Sequence, residues 1–155
     1  MAVHYHVTTS LDGFIAGPDG ETDWAAKAVR PIPLESAGAV LAGPSTVPGG
    51  WTGPVFVRSG EPVDVPGAVV LSGDVHEAVV TALLAAGEKH LVVTGSEIAR
   101  ECLEMGLVDE LFVHIVPVLL GGGTPLFDGE RRIELERLAV HEAGPVTALH
   151  LRVVK

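Results

Sequence analysis

The sequence predicts an α/β protein with a mostly parallel sheet and an antiparallel hairpin at its C-terminal end. Through the middle of the chain, short apolar segments typical of buried strands alternate with amphipathic helical segments, as in βαβ units. Two strand-like segments joined by Gly144-Pro145 then close the chain. A chain of 155 residues that is 47% apolar is long enough to bury one core, so we predict a single domain over residues 1–155.

The first third of the chain predicts strands and turns with little helix. Residues 2–9 alternate between apolar and polar side chains, which is the period of a half-buried strand. Residues 14–16 form a short apolar segment, and residues 17–20 (Gly-Pro-Asp-Gly) are a strong turn signal. Residues 23–37 are partly helical in pattern until two prolines stop them, and residues 38–43 predict a strand buried on both faces.

The middle of the chain predicts two short strands followed by a well-marked helix. The strands are residues 55–57 and 68–71. Asp74 begins the helix as its N-cap, with Glu77 three residues later at the spacing of a capping box. Apolar residues recur at helical spacing until Gly87, which we predict to end the helix.

The remaining elements continue the alternation and then break it. A second helix begins at Gly95-Ser96 and ends at Gly106. The remaining predicted strands are residues 90–94, 111–118, 137–143 and 146–154. The last two follow each other without an intervening helix, which makes them antiparallel neighbours.

Charge and composition exclude several classes of partner. The net charge is −10, so the chain lacks the basic character that a nucleic acid or an anionic membrane requires, and we expect neither as a partner. Cys102 is the only cysteine, which excludes an internal disulfide framework. No signal peptide pattern and no apolar run of about 20 residues is seen, and we expect a cytoplasmic protein acting on a small molecule.

The segment from residue 91 to residue 98 is the strongest candidate for a binding site. It passes from a buried strand through Gly95 into the start of a helix, where free backbone N–H groups can bind a phosphate. The alternative is an ordinary helix start, capped by Thr94 or Ser96. Glu97 counts against an anion, because its carboxylate would repel a phosphate.

Other polar segments have both a functional and an ordinary structural interpretation. Arg58-Ser59 could bind a phosphate ester, or could be a solvated loop. Gly121-Gly122-Gly123 lacks the spacing of a dinucleotide fingerprint, and the ordinary interpretation is a strand end that needs positive φ. His4 and His6 share one strand face, but the sequence places no third ligand, so no metal site is predicted.

Several segments together resemble a known family. They are Thr9-Ser10-Leu11-Asp12-Gly13-Phe14-Ile15-Ala16-Gly17-Pro18-Asp19-Gly20 followed by Trp24, then Val93-Thr94-Gly95-Ser96, residues 103–111, and residues 117–127. This pattern is similar to the dihydrofolate-reductase-like family, and within it to the riboflavin-biosynthesis reductase branch (the C-terminal half of the bifunctional deaminase/reductase). The likeness extends over nearly the whole chain and is weakest between residues 25 and 60.

The resemblance implies a three-layer α/β/α fold, NADPH as hydride donor, and a homodimer. It also implies a cofactor site with Gly95, Ser96, Glu97 and Ile98 at the pyrophosphate, and with Gly43 and Thr46 in a second phosphate-side loop. By the same resemblance Arg58 and Ser59 would face the 2′-phosphate, Ile15, Ala16 and Gly17 the nicotinamide, and Gly122, Gly123 and Thr124 the cofactor from the end of the long strand. Trp24 is the expected substrate-pocket residue.

The sequence also departs from the family pattern. Where the family has Gly-Arg-x-Thr-Tyr, this chain has Gly43-Pro44-Ser45-Thr46-Val47, and Arg58 is the expected replacement for the missing arginine. Residues 25–37 are short and carry no acid at the position of the catalytic carboxylate of true dihydrofolate reductases, so folate reduction is not expected. Asp12 is the remaining candidate catalytic acid, with an Asx turn as its alternative, and Glu35 is a weaker candidate.

The expected function is therefore an NADPH-dependent reductase. It would transfer a hydride to a small, heterocyclic substrate resembling a pterin or a flavin precursor. The alternative is a catalytically degenerate member of the same fold that binds a ligand or a protein partner. The lost arginine and the shortened segment after Trp24 favour this alternative.

Overall fold

The computed structural model describes residues 2–27, 37–44 and 51–155. The strands are β1 (Val3–Ser10), β2 (Phe14–Ala16), β3 (Ala37–Ala42), β4 (Val55–Arg58), β5 (Val69–Leu71), β6 (His90–Val93), β7 (Glu110–Val116), β8 (Thr124–Pro125), β9 (Leu135–Ala143) and β10 (Val146–Val153). The helices are α1 (Val75–Ala86), α2 (Ser96–Glu104) and a short 3-10 helix, Asp23–Lys27.

The chain forms two compact units. The first consists of Met1–Tyr5 and Pro33–Asp109, and the second of His6–Ile32 and Glu110–Lys155. The chain passes from the first unit to the second within β1. Whether the two units act as one domain, as the sequence predicts, stays a prediction.

The first unit contains a parallel sheet in the order β5-β4-β3-β6-β1. Val40 of β3 stands opposite Val55 of β4 on one side and opposite Val92 of β6 on the other. Val40 and Val92 are fully buried, because the strands in the middle of this sheet are covered on both faces. Their sequences are correspondingly apolar without alternation, as predicted for residues 38–43 and 90–94.

Helix α1 packs against β3, and it begins and ends where the sequence predicts. The Asp74 side chain accepts a hydrogen bond from the Glu77 N–H, which caps the first turn. Val79 and Ala82 lie on the buried stripe that faces the sheet. Gly87 follows the helix with φ of 65°, a conformation that favours glycine.

The second unit contains an antiparallel sheet in the order β7-β10-β9. Gly144, at φ of 60°, makes the tight turn between β9 and β10. On β7, Leu111 and Val113 are buried while Phe112 and His114 are only half-buried, so this sheet has one covered face. Strands β2 and β8 form a separate two-stranded ladder in the same unit.

Two predicted strands differ from the structure by two residues at one end, whereas the others differ by no more than one residue at either end. The strand predicted over 111–118 is Glu110–Val116, because the Val118 N–H bonds back to the Val116 carbonyl and turns the chain out of the ladder. The strand predicted over 137–143 begins two residues earlier, at Leu135, which pairs with Val153. Its exposed N-terminal residues carry no clear alternation, so the sequence pattern does not mark the start.

The predicted fold class is confirmed: this is an α/β chain with a mostly parallel sheet and an antiparallel C-terminal hairpin. The partly helical segment predicted over 23–37 begins as the 3-10 helix, and residues 28–36, with Glu35 among them, lie outside the described residues. Among the helices of the described ranges, none is long and apolar enough to span a bilayer.

Candidate functional site

The start of helix α2 presents backbone N–H groups without a side-chain cap. Gly95 is the N-cap residue, at φ of 103°, and its carbonyl accepts the first helical hydrogen bond from the Ala99 N–H. Gly95 takes the N-cap position that the predicted alternative assigned to Thr94 or Ser96, and it has no side chain with which to form a cap hydrogen bond. The positive end of the helix dipole and the N–H groups of the first turn therefore favour an anion here.

A cavity of about 310 Å³ opens at this helix start. Its lining comes from the ends of three parallel strands, the starts of both helices and the middle of α2: Gly43, Pro44, Arg58, Val75, Gly95, Ser96, Glu97, Ile98 and Glu101. Strand β3 lies between β4 and β6, so the segments that follow these three strands meet at the same edge of the sheet. This is where open α/β sheets bind ligands.

Arg58 brings a positive charge to the cavity. Its Nε donates a hydrogen bond to the Gly73 carbonyl at 3.1 Å, which holds the half-buried side chain against the loop before α1. Val75 and Ile98, both buried, give the cavity an apolar part. A guanidinium beside an uncapped helix start suits a ligand with two separate anionic groups.

Ser59, predicted to share the phosphate with Arg58, is engaged in a local turn. Its hydroxyl donates to the Glu61 carbonyl at 2.8 Å and accepts from the Glu61 N–H at 3.2 Å. The residue is not part of the cavity lining. Its role at a phosphate stays a prediction.

The segments predicted to contact the nicotinamide end are brought together in the second unit. Ala16 of β2 stands opposite Thr124 of β8. Gly123, at φ of 131°, lies so close to Ala16 that a Cβ at this position would overlap the Ala16 carbonyl oxygen. Glycine is therefore required at 123 by both the backbone conformation and the close approach. Gly122 lies beside Pro18, where a Cβ would make an ordinary contact at 3.7 Å.

Asp12 ties two distant loops of the second unit together. Its carboxylate accepts hydrogen bonds from the Leu120 N–H at 3.1 Å and the Gly121 N–H at 2.8 Å, and also from the Ser10 hydroxyl. The Ser10 hydroxyl and the two backbone N–H groups lower the pKa of Asp12, so the group is ionised at neutral pH. An ionised carboxylate with engaged oxygens is a poor proton donor, and these contacts favour a positioning role over the predicted catalytic one.

Trp24 belongs to a tightly bonded turn that begins at Gly17. The indole N–H donates to the Glu21 carbonyl at 2.9 Å, and the same carbonyl accepts from the Gly17 N–H. The Glu21 side chain in turn accepts from the Asp19 N–H. Trp24 is half-buried, and its predicted contact with a substrate stays a prediction.

The cavity gathers six of the predicted cofactor residues, Gly43, Arg58, Gly95, Ser96, Glu97 and Ile98. Thr46 lies outside the described residues. Sequence reasoning missed Pro44, Val75 and Glu101. A signal existed for Glu101, because it stands four residues after Glu97 and therefore on the same face of α2. No sequence signal marks Val75. Its place at the cavity depends on the order of the strands in the sheet, which local sequence does not reveal.

The two histidines of β1 are packed against other rings. The His4 ring stacks on His90 with centroids 4.0 Å apart, and the His6 ring stacks on Phe112 at 4.5 Å. Phe112 in turn stacks on His150, whose Nε2 lies against the Glu110 carboxylate. These rings therefore pack against one another within their own units.

The model of the RibD C-terminal domain family matches residues 68–149, which is more than half of the chain. The chain belongs to the RibD C-terminal domain family. The match includes α1, β6, α2 and β7, and therefore most of the helix-start residues of the cavity. No curated protein is significantly similar in sequence.

Several solved structures of related proteins have the same fold as this chain. A protein from Shewanella sp. PV-4 assigned to riboflavin biosynthesis is 24% identical, with a TM-score of 0.84 and 100% of both chains covered. The diaminohydroxyphosphoribosylaminopyrimidine deaminase/5-amino-6-(5-phosphoribosylamino)uracil reductase of Thermotoga maritima is 17% identical at a TM-score of 0.70, and the alignment covers 99% of this chain and 56% of that one. The dihydrofolate reductase of Enterococcus faecalis, complexed with NADP(H), is 14% identical at 0.67, covering 99% and 97%.

The RibD C-terminal domain therefore has a dihydrofolate-reductase-like fold in this chain, as the sequence resemblance implied. The chain spans little more than half of the bifunctional deaminase/reductase from Thermotoga maritima. The resemblance to the reductase branch is confirmed by the family match.

Proposed function

We propose that this RibD C-terminal domain is an NADPH-dependent reductase of a small heterocyclic substrate, in the class of pterins and flavin precursors. The observation that carries the proposal is the uncapped start of α2, which opens into a cavity of about 310 Å³ beside Arg58. An anionic dinucleotide needs such donors and such a cation. The family membership and the dinucleotide in a structural relative support the same assignment.

The cavity offers backbone N–H donors and a guanidinium, and both kinds of group suit the phosphates of the cofactor. The N–H groups of Ser96, Glu97 and Ile98 would bind the pyrophosphate, and the Arg58 guanidinium would bind the 2′-phosphate. Because residue 95 is glycine, no side chain at this position would keep the pyrophosphate away from these N–H groups. When bound, the dihydronicotinamide supplies the hydride, and the work of the protein is to bind, align and shield the two rings.

A catalytically degenerate binding module is the alternative, and the missing arginine after Gly43 is the feature that favours it. Arg58 answers this objection, because it brings a guanidinium into the same cavity from β4. The proposed enzyme therefore does not depend on the family's usual arginine. Asp12 is proposed to hold the loop at Leu120-Gly121 in place, and the proton would come from another donor.

Titration with NADPH tests the proposal. We expect NADPH to raise the melting temperature and to quench tryptophan fluorescence with saturation. Arg58→Ala should weaken NADPH binding about 5- to 150-fold, the effect of losing a charged hydrogen bond worth about 1–3 kcal/mol. Arg132→Ala is the matched control, because it removes the same charge from an exposed side chain that is bonded to Glu134.

The outcome also separates the two candidate functions. A reductase requires that NADPH bind and that Arg58→Ala weaken it while Arg132→Ala does not. If millimolar NADPH changes neither the melting temperature nor the fluorescence of the wild-type chain, the reductase proposal is wrong and the binding module is favoured.

We also propose that the chain pairs with a second copy through strand β9. This strand is nine residues long, lies at the end of its sheet, and exposes Leu135, Leu138 and Val140 by about two fifths each. An exposed apolar edge strand is a template for pairing with another strand. Analytical ultracentrifugation should give a dimer, which Leu138→Glu should dissociate. Leu84→Glu, at an exposed leucine of α1, should leave the dimer intact.

A further inference from the structure

The cavity at the start of α2 carries an unusual balance of charge for a site that binds phosphates. Among the lining residues that the structure describes, Arg58 is the only cationic side chain, whereas two carboxylates, Glu97 and Glu101, also line the cavity. Glu97 is exposed and Glu101 is half-buried. The described lining side chains therefore carry two negative charges against one positive charge, and the two carboxylates weaken the attraction that Arg58 and the helix start exert on phosphates.

The two carboxylates lie at different depths along α2. Glu97 belongs to the first turn, where the backbone N–H groups are uncapped. Glu101 stands one helical turn later, about 6 Å further along the axis. A pyrophosphate bound at this first turn would lie next to Glu97, and because NADH and NADPH share that group, Glu97 would affect both alike. Glu101 lines the same cavity as Arg58, to which the 2′-phosphate is assigned above, so its charge would act on the group that differs.

The difference between NADH and NADPH is the group on the 2′-carbon of the adenosine ribose. A carboxylate accepts hydrogen bonds from a 2′-hydroxyl and repels a 2′-phosphate, whereas an arginine attracts the phosphate. This cavity holds both kinds of group, Arg58 and Glu101. Arg58 is fixed by its bond to the Gly73 carbonyl and cannot move away from the cavity without losing that bond.

We propose that Glu101 is the specificity-determining residue that limits the preference of this domain for NADPH over NADH. This inference rests on the proposed function. Arg58 favours the 2′-phosphate and Glu101 opposes it, so the wild-type chain accepts both dinucleotides. Replacing Glu101 by an uncharged side chain of the same shape removes the repulsion and leaves Arg58 unopposed.

The test is the ratio of the dissociation constants for NADH and NADPH in the wild-type chain, Glu101→Gln and Glu88→Gln. In Glu101→Gln we expect NADPH to bind about 3- to 10-fold more tightly, because one like charge is removed from the cavity, and NADH to bind no more tightly. Glu88→Gln is the matched control, because it makes the same change of charge at an exposed residue in the turn after α1, outside the cavity lining.

Each outcome decides the inference separately from the proposed function. A ratio that rises in Glu101→Gln but not in Glu88→Gln supports it. If both variants behave like the wild-type chain, or change the ratio equally, Glu101 does not determine specificity, although the reductase proposal stands. If the wild-type chain binds neither dinucleotide, the proposed function is wrong and the inference is overturned with it.

Discussion

The two helices of the first unit begin in contrasting ways. Helix α1 begins behind Asp74, whose carboxylate accepts a hydrogen bond from the Glu77 N–H. Helix α2 begins behind Gly95, which has no side chain and leaves the first turn uncapped. Both helices follow a parallel strand and both carry a glutamate in the first turn. A side-chain acceptor at the N-cap therefore decides whether the backbone N–H groups of a helix start are used within the protein or are available to an anion.

A loop of the second unit extends the same comparison. The N–H groups of Leu120 and Gly121 are close to a glycine-rich segment and would suit an anion, but Asp12 already occupies them. The chain thus supplies its own carboxylate at two sets of backbone donors and leaves the set at α2 without one.

The largest expected effect is on the open helix start. Gly95→Ala places a side chain at φ of 103° and ψ of 130°, a region that only glycine adopts readily, at a cost of about 1–3 kcal/mol. Relief of this strain moves the first-turn donors, so we expect NADPH affinity to fall about 10-fold or more. Isothermal titration calorimetry measures the change.

Gly87→Ala is the control for backbone strain alone. Gly87 also has positive φ, 65°, but it ends α1, away from the cavity lining. The Gly87→Ala variant should lose stability as Gly95→Ala does, but it should bind NADPH as tightly as the wild-type chain. Equal affinity in all three proteins would show that the start of α2 does not hold the pyrophosphate.

Removing the cap of the closed helix should affect stability rather than binding. Asp74→Ala leaves the first turn of α1 without its acceptor, and we expect a loss of about 1 kcal/mol in the free energy of unfolding. NADPH affinity should change little, because the donors of α2 are untouched. Urea denaturation followed by circular dichroism measures the free energy of unfolding. A variant as stable as the wild-type chain would contradict the role assigned to Asp74.

The Asp12 contacts predict a dependence of stability on acid. Because the folded chain lowers the pKa of Asp12 below its ordinary value of 3.8, the stabilisation is complete above that value. The stabilisation by the Asp12 hydrogen bonds is lost as the pH falls through the pKa that Asp12 has in the folded chain, which is lower than 3.8. Asp12→Asn should therefore be less stable than the wild-type chain at neutral pH, and the difference should shrink on acidification below pH 3.8. A difference that is constant with pH would exclude the carboxylate as its source.

The smallest effect concerns the carboxylate beside the open donors. Glu97 lies in the first turn of α2 and opposes a second anion there. Glu97→Gln should strengthen the binding of inorganic pyrophosphate about 2- to 5-fold, since a charge at a helix terminus is worth about 0.3–1 kcal/mol. Competition against NADPH fluorescence gives the affinity. Weaker pyrophosphate binding in the variant would mean that Glu97 assists the anion.

Local patterns of sequence determined the elements of this protein. The cap at Asp74 and the glycine at 87 fix the ends of α1 through contacts within a few residues, and these are readable from spacing. The strand-turn-strand pattern around Gly144 determined the C-terminal hairpin in the same way. The sequence also marked Gly95 as a helix start able to receive a phosphate, although it left a cap by Thr94 or Ser96 open.

Which residues share the cavity, and which backbone donors stay open, depends on the three-dimensional arrangement of distant segments. Arg58 and Gly95 meet because β3 lies between β4 and β6, and this order depends on packing over the whole sheet rather than on neighbours in sequence. The role of Asp12 likewise depends on partners 108 and 109 residues away, which no local spacing reveals. Contacts within one or two turns can be predicted from sequence, because the chain itself holds the partners close. Contacts between distant segments exist only once folding has selected one order and register of strands.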